Sequence, residues 1–322
     1  MTSDIPHRRR RGFTLIELLV VLVIITILAA LSIQVIGAVM VNARTAATSA
    51  TLTKINGRIK DRIQTLAELD YEQYELLAEN DGFQRSNEKK VVARKIAMLE
   101  AFPQTWAEFE TLFPELKTEV ISKYGTNTYT PATESAEVLY YILTEGPIPG
   151  RGKRKVISGV GQVQADEFNS SDTSDLDGDG LLEFVDGWGN PLRFYRWPTR
   201  LVRPDGAGAT ITPAQLANAQ VIIPSLTAAN AIKDADDPYD AMAASNDPDQ
   251  FENAYLTPST YSVPLVVSVG ENGVLGMYEP TDTANFGHLG NYEQTVGNSS
   301  DPANFENMQD NISNLNNSAS GN

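Results

Sequence analysis

The side chains best suited to chemistry in this chain are carboxylates, and they are concentrated in one short loop. Counted from Asp175, oxygen donors stand at positions 1, 3, 5, 9 and 12, and a glycine stands at position 6. The side-chain donors are Asp175, Asp177, Asp179, Glu183 and Asp186, and position 7 offers the backbone carbonyl of Leu181. Hard cations such as Ca²⁺ take about six to eight oxygen ligands around a tight turn. The spacing therefore predicts a calcium loop.

The alternative for this segment is a solvated acidic loop that leads into the turn at Trp188. The twelfth residue is Asp186, where an EF-hand has Glu, so the spacing is more like that of a dockerin loop. Without a cation, the aspartates of the loop would repel one another strongly.

The composition argues against catalysis and against nucleic-acid binding. The 322 residues carry 41 Asp and Glu against 25 Lys and Arg, a formal net charge of -16, whereas phosphate binding needs clustered basic side chains. The chain has no cysteine and only two histidines, His7 and His288, which excludes disulfides, thiolate metal sites and cysteine nucleophiles. Because no catalytic arrangement of serine or histidine is recognisable, we expect the protein not to be an enzyme and to have no nucleic-acid partner.

The element that positions the rest of the chain is an apolar N-terminal segment. Four arginines at 8–11 and Gly12 precede Phe13–Val41, a run of 29 residues whose only charged member is Glu17. As a helix this run measures about 43 Å, longer than the roughly 30 Å hydrocarbon core of a bilayer. The positive-inside rule keeps the arginines on the cytoplasmic side, so we expect a single span with the N-terminus inside.

Two alternatives explain part of this segment. The apolar core of a secretory signal peptide is about 7 to 15 residues long and ends at a small-residue cleavage site, which is shorter than the run observed. A plain membrane anchor explains everything except Glu17, because a carboxylate at the bilayer centre costs about 2.5 to 3.5 kcal/mol on insertion scales.

The string from Gly12 to Val21, GFTLIELLVV, resembles the class III signal peptide of type IV pilins and type II secretion pseudopilins. The resemblance implies that a prepilin peptidase cuts between Gly12 and Phe13 and methylates the new N-terminus. The new ammonium would then face Glu17 of a neighbouring subunit, which satisfies two charges that are each costly in lipid. In this interpretation Glu17 is an assembly residue.

Apolar residues continue at helical spacing beyond the apolar run, to about residue 80. We expect one helix to continue to that point; the alternative is an anchor helix and a separate soluble helix with a break near residues 42–53. The predicted later helices are Glu88–Ala101, one around Pro114 and Thr133–Glu145, and the predicted strands are Leu192–Trp197, Val221–Ile223 and Tyr261–Val269. The basic stretch 151–155 is either a docking site for an acidic partner or a solvated loop.

Three further strings resemble those of major type II secretion pseudopilins: Asp186–Phe194, Val267–Gly273 and Asp310–Ser313. In that family a calcium ion holds the C-terminal loops, where disulfide-closed pilins use two cysteines. By resemblance Asp310 is a calcium ligand, and Glu271 or Asn272 takes the place of the loop acid.

These features predict an α+β, pilin-like fold in which a long N-terminal transmembrane and amphipathic helix packs on a small antiparallel β-sheet domain with helical insertions. The expected segments are a leader peptide 1–12, a transmembrane helix 13–41, its amphipathic continuation 42–80, helical insertions 81–155, a β-rich globular domain with calcium-type loops 156–284 and an Asn-rich tail 285–322.

The resemblance implies a structural subunit of a type II secretion pseudopilus, held in the inner membrane with its C-terminal domain in the periplasm. The implied partners are further copies or other pseudopilins in one filament, the prepilin peptidase, and the inner-membrane assembly platform with its ATPase. The alternatives are a type IV pilus subunit and a membrane-anchored calcium-binding extracytoplasmic protein of another class.

Overall fold

The computed structural model describes residues 13–116, 120, 129–146, 167–196, 264–281, 307–308 and 310–316. The chain divides into two compact units, Met1–Ala43 and Arg44–Asn322. Four segments named above lie outside the described residues: the leader 1–12, the basic stretch 151–155, the strand predicted at Val221–Ile223 and most of the tail 285–322.

Helix α1, Leu15–Ala67, begins in the first unit with a strongly apolar sequence. None of its most apolar stretch is buried inside the protein, and by length and composition it is able to cross a membrane. Side chains such as Leu22 and Leu28 are more than half exposed, as expected of a surface that faces lipid. The predicted long N-terminal apolar helix is confirmed.

The end of α1 differs from the continuous helix to residue 80 that the sequence predicts. The helix ends at Ala67, and α2 follows at Glu72–Asn80. The amide of Leu69 donates to the carbonyl of Leu66 at 3.1 Å, and the Tyr71 hydroxyl donates to that same carbonyl at 2.6 Å. These hydrogen bonds satisfy a carbonyl group in the last turn of the helix. Neither proline nor glycine marks the break in the sequence, and the apolar residues keep their helical spacing across it.

Three more helices lie close to their predicted positions. Helix α3 is Ser86–Ala101, α4 is Trp106–Leu112 and α5 is Glu134–Thr144. The hydroxyl of Thr105 caps α4 by accepting a hydrogen bond from the Glu108 amide at 3.1 Å, the usual role of Thr at this position.

Two small antiparallel sheets lie in the described part of the second unit. Strands β1 (Thr173–Ser174) and β2 (Glu183–Phe184) form one of them. The other has the order β3 (Arg193–Tyr195), β4 (Leu265–Ser268), β5 (Ile312–Ser313). Strands β3 and β4 lie within the predicted Leu192–Trp197 and Tyr261–Val269, whereas β1, β2 and β5 are too short to show in the sequence pattern.

The core of the second unit is built on one face of α1. Leu52, Ile55 and Ile59 are fully buried there, at the spacing that predicts an amphipathic helix. They belong to one cluster with α4, α5 and the sheets, whose buried members include Phe102, Trp106, Phe109, Leu139, Ile142, Phe184, Phe194 and Val266. The predicted α+β class is confirmed, and the arrangement is consistent with a pilin-like fold.

Candidate functional site

The start of α1 is closed by a reciprocal contact between Thr14 and Glu17. The amide and hydroxyl of Thr14 donate to Glu17 Oε2 at 2.8 and 2.9 Å, and the Glu17 amide donates to the Thr14 hydroxyl at 3.3 Å. This is a capping box, in which the first and fourth residues satisfy each other's polar groups. Phe13 is 84% exposed beside it, and Gly12 lies outside the described residues.

The acidic loop connects β1 to β2 as the turn of a hairpin. Asp175 accepts hydrogen bonds from the amides of Gly178 and Gly180 at 2.7 and 3.2 Å, and Asp179 accepts one from the amide of Leu181 at 2.8 Å. Both glycines have positive φ, 82° and 90°, a conformation that other residues rarely adopt. The turn brings carboxylate oxygens of Asp175, Asp177 and Asp179 within 4.8 Å of one another.

A second carboxylate group shares Asp177 with the first. Oxygens of Glu137, Asp177 and Glu183 also lie within 4.8 Å of one another. Glu183 is in β2 and Glu137 is in α5, and both side chains are fully buried. The spacing of the loop carboxylates gives no indication of Glu137; the signal in the sequence is a charged residue within the otherwise largely apolar α5.

One oxygen of each buried glutamate is held by a neighbour. The indole nitrogen of Trp106 donates to Glu137 Oε2 at 2.9 Å, and the amide of Leu176 donates to Glu183 Oε2 at 2.9 Å. The other oxygen of each glutamate and both oxygens of Asp177 are buried and accept no hydrogen bond from the described part of the chain.

The surroundings of Glu137 and Glu183 raise the pKa values of both carboxyl groups. Burial raises the pKa of Glu137 to about 8, against the hydrogen bond from Trp106, and the charges of Asp177, Asp179 and Glu183 raise it further. Burial also raises the pKa of Glu183 to about 7, against the hydrogen bond from the Leu176 amide. Near neutral pH the cluster therefore either holds protons or requires a cation.

Asp186, the twelfth residue of the predicted calcium loop, has other partners. Its Oδ1 accepts hydrogen bonds from the amides of Trp188 and Asn190, each at 2.9 Å, and its Oδ2 accepts one from the Ser268 hydroxyl at 2.8 Å. It belongs to neither carboxylate group. The structure thus separates Asp186, which orders a turn, from Asp175, Asp177, Asp179 and Glu183, which come together.

The second predicted calcium region is the contact between the loop after β4 and the segment before β5. Oδ2 of Asp310 accepts a hydrogen bond from the Asn272 amide at 2.7 Å, and the Asn272 side chain donates to the carbonyl of Asn307 at 2.9 Å. A Cβ atom on Gly270 would lie 2.3 Å from the carbonyl oxygen of Asp310, so only glycine fits there. Glu271 is exposed.

A comparison with protein families finds a match for the N-terminal segment of the chain. The family described as "Prokaryotic N-terminal methylation motif" matches residues 7–33. Comparisons with curated proteins and with solved structures find no match. The matched segment contains Gly12, Phe13 and Glu17 and the apolar start of α1. The chain thus carries the N-terminal motif of a type IV pilin-like protein, which implies processing by a prepilin peptidase, membrane association and assembly into filaments.

Proposed function

We propose that this protein is a pseudopilin of a type II secretion system, a structural subunit without enzymatic activity. The N-terminal methylation motif carries the proposal, because it combines a cleavage site, a membrane helix and an internal carboxylate in one segment. Cleavage after Gly12 releases a chain that begins at Phe13. The subunits then polymerise through α1 at the inner membrane, with the C-terminal domain in the periplasm.

The geometry at Glu17 supports its role in assembly. Thr14 uses two donors on one oxygen of the Glu17 carboxylate, and a carboxylate offers about four acceptor positions. The group can therefore keep its capping contact and still receive the ammonium of Phe13 from a neighbouring subunit. In lipid, that pairing removes the cost of two isolated charges.

The second unit supports the choice of a secretion pseudopilin over a pilus subunit. The three strings that resemble major pseudopilins are far apart in the sequence, yet each contributes residues to one strand of a single sheet, β3, β4 and β5. The first two strings meet directly through Asp186 and Ser268, and the last two through Asn272 and Asp310. Each string resembles the pseudopilins on its own, and in the folded chain the three strings also contact one another within one structural unit.

This proposal includes a calcium ion at the C-terminal loops, as the resemblance to pseudopilins implies. Asp310 supplies a carboxylate beside the tight turn at Gly270 and Asn272, and oxygen donors at a turn suit Ca²⁺. If calcium binds there, substitution of Asp310 by Asn lowers the affinity of the full-length protein for calcium in a titration. An unchanged affinity would remove this loop from the proposal.

The first experiment tests processing and assembly separately. The mass and N-terminal sequence of the protein would be measured from membranes of cells with and without a prepilin peptidase. We expect methylated Phe13 at the N-terminus only in the presence of the peptidase. Glu17→Gln should be processed but should not enter filaments, whereas Thr14→Ser, which keeps the cap hydroxyl, should do both. A chain that retains Arg8 in cells containing the peptidase contradicts the proposal.

The second experiment separates the secretion system from a pilus. Cells that lack the protein should accumulate normally exported proteins in the periplasm and keep their surface pili. Loss of surface pili with normal export would instead establish the alternative, a type IV pilus subunit. If export and pili are both unaffected, the remaining alternative is a membrane-anchored calcium-binding protein of another class.

A further inference from the structure

We propose that Glu137, Asp177 and Glu183 bind one Ca²⁺ ion that ties the β1–β2 hairpin to helix α5. This site differs from the loop that the sequence spacing predicts, because a helix outside the loop supplies one of its ligands. It also differs from the C-terminal loops at Asn272 and Asp310. The inference is independent of filament assembly, since every residue involved lies in the second unit.

The unsatisfied oxygens of the cluster are the main observation. Glu137 Oε1, Glu183 Oε1 and both oxygens of Asp177 are buried, and none accepts a hydrogen bond within the described part of the chain. Buried polar atoms without partners are rare in folded proteins, because each loses its contact with water and gains nothing in return. Here four such atoms belong to three carboxylates whose oxygens lie within 4.8 Å of one another.

The two glutamates are oriented as metal ligands usually are. Each has one oxygen fixed by a hydrogen bond, from Trp106 to Glu137 and from the Leu176 amide to Glu183, at 2.9 Å in both cases. The other oxygen of each is the unsatisfied one. Hydrogen bonds from outside a metal site commonly hold ligating carboxylates in this way. A cation would satisfy the remaining oxygens and remove the repulsion among the three charges.

The donor set favours Ca²⁺ over other divalent cations. The three ligands offer only oxygen, and the described part of the chain contains no histidine or cysteine, the residues that zinc prefers. Asp177 also belongs to the group with Asp175 and Asp179, so additional oxygens stand next to the cluster. Calcium accepts about six to eight ligands in flexible geometry, whereas Mg²⁺ demands a near-ideal octahedron.

Calcium at this position would join two parts of the second unit. Glu137 is in α5, which contributes Val138, Leu139 and Ile142 to the core, whereas Asp177 lies in the partly exposed hairpin loop. The loop would then be ordered by the ion, and Trp106, which touches Glu137, would report the binding through its fluorescence. Removal of calcium should free the loop and expose it to proteases.

The test uses full-length protein in detergent micelles, first treated with a chelator and then titrated with CaCl₂ or MgCl₂. Heat of binding, tryptophan fluorescence and the melting temperature would be measured. We expect calcium to bind, to raise the melting temperature by several degrees and to slow proteolysis of the hairpin loop. Magnesium should bind at least tenfold more weakly.

Matched variants identify the ligands. Glu137→Gln and Asp177→Asn should each weaken calcium binding at least tenfold. Glu134→Gln, one turn earlier in α5 and outside both carboxylate groups, should bind like the wild type. Asp186→Asn should do the same, because Asp186 is occupied by the Trp188 turn and Ser268.

Three results would overturn the proposal. The first is a wild-type protein whose heat signal and melting temperature do not respond to calcium. The second is a Glu137→Gln variant that binds calcium with wild-type affinity. The third is loss of calcium binding in Asp186→Asn while Glu137→Gln still binds, which would favour the calcium loop predicted from the spacing. To show that Glu137→Gln is folded, its melting temperature in chelator would be compared with that of the wild type. We expect it to be no lower, because the amide oxygen of glutamine can keep the hydrogen bond from Trp106 and the neutral amide adds no charge to the buried cluster.

Discussion

The hydroxyl of Ser268 donates a hydrogen bond to Oδ2 of Asp186 at 2.8 Å, and both side chains are buried. Ser268 also accepts a hydrogen bond from the Gly270 amide at 3.1 Å. The hydrogen bond between Ser268 and Asp186 connects the turn after β2 to the end of β4, two segments that are far apart in the chain.

Removal of that hydroxyl should destabilise the second unit. Ser268→Ala leaves the Gly270 amide without its acceptor and leaves Asp186 Oδ2 with only the long contact from the Asn190 side chain at 3.5 Å, which costs about 1 to 3 kcal/mol of unfolding free energy. Thermal denaturation of the full-length protein in micelles, followed by circular dichroism, measures the loss. Ser171→Ala is the control, because Ser171 is exposed and its loss should cost less than about 0.5 kcal/mol. Equal melting temperatures for the two variants would contradict the prediction.

Arg62 should be one of the most important polar residues for stability. Its guanidinium is fully buried and donates to the carbonyls of Ala101 and Ile142, both at 2.8 Å, and burial lowers the pKa of Arg62 to about 9. Arg62→Met should cost about 2 to 4 kcal/mol, because two carbonyls lose a charged donor. Arg58 is the matched control on the same helix. It is partly exposed and pairs with Asp61 and Glu167, so Arg58→Met should cost less than about 1 kcal/mol. A larger loss in Arg58→Met than in Arg62→Met, measured by urea unfolding, would refute this ranking.

Asp172 should make the second unit sensitive to acid. Burial alone would raise the pKa of Asp172, but hydrogen bonds from Lys54, Thr51 and the Asn169 amide outweigh burial and hold the pKa below its usual value. The pKa is lower in the folded than in the unfolded state, so the contribution to stability is present above about pH 4 and is lost as the pH falls through the folded-state pKa. In wild type the melting temperature should fall over this range.

Asp172→Asn should lower the melting temperature at pH 7 and flatten its decline in acid. The Lys54 ammonium lies 2.7 Å from the carboxylate in the wild type and has no such partner in the variant. Asp61→Asn, which changes an exposed carboxylate, serves as the comparison and should keep the wild-type pH profile. An unchanged acid profile in Asp172→Asn would show that other carboxylates dominate.

Two glycines should respond to alanine in opposite directions. A Cβ atom on Gly187 would lie 2.3 Å from the carbonyl oxygen of Arg44, and the Gly187 amide donates to the Thr48 hydroxyl at 2.9 Å. Gly187→Ala should therefore push the turn away from α1 and destabilise the unit by at least about 1 kcal/mol. Gly57 is inside α1, and apart from the adjacent backbone of the helix itself no atom lies within 4 Å of the added Cβ position, so Gly57→Ala should stabilise by about 0.5 to 1 kcal/mol. Melting temperatures that shift in the same direction would contradict this comparison.

The sequence alone determined the N-terminal segment and much of the helical content. The motif at Gly12, Phe13 and Glu17 and the apolar start of α1 depend on residues that are neighbours along the chain. The same is true of Leu52, Ile55 and Ile59, whose spacing places them on one face of a helix. Local patterns of this kind are visible without knowledge of the fold.

Only the tertiary structure decided which carboxylates come together, whereas the end of α1 depends on local contacts that the apolar spacing does not reveal. The break after Ala67 depends on local hydrogen bonds from Tyr71 that leave the apolar spacing unchanged. Glu137 meets Asp177 and Glu183 because α5 packs against β2, and Asp186 leaves the predicted ligand set because Ser268, from a distant strand, binds its carboxylate. Spacing along the sequence identifies the ligands of a metal site only when all of them lie in one local element. The contacts of Glu137 and Asp186 depend instead on the packing of elements that are remote in the chain.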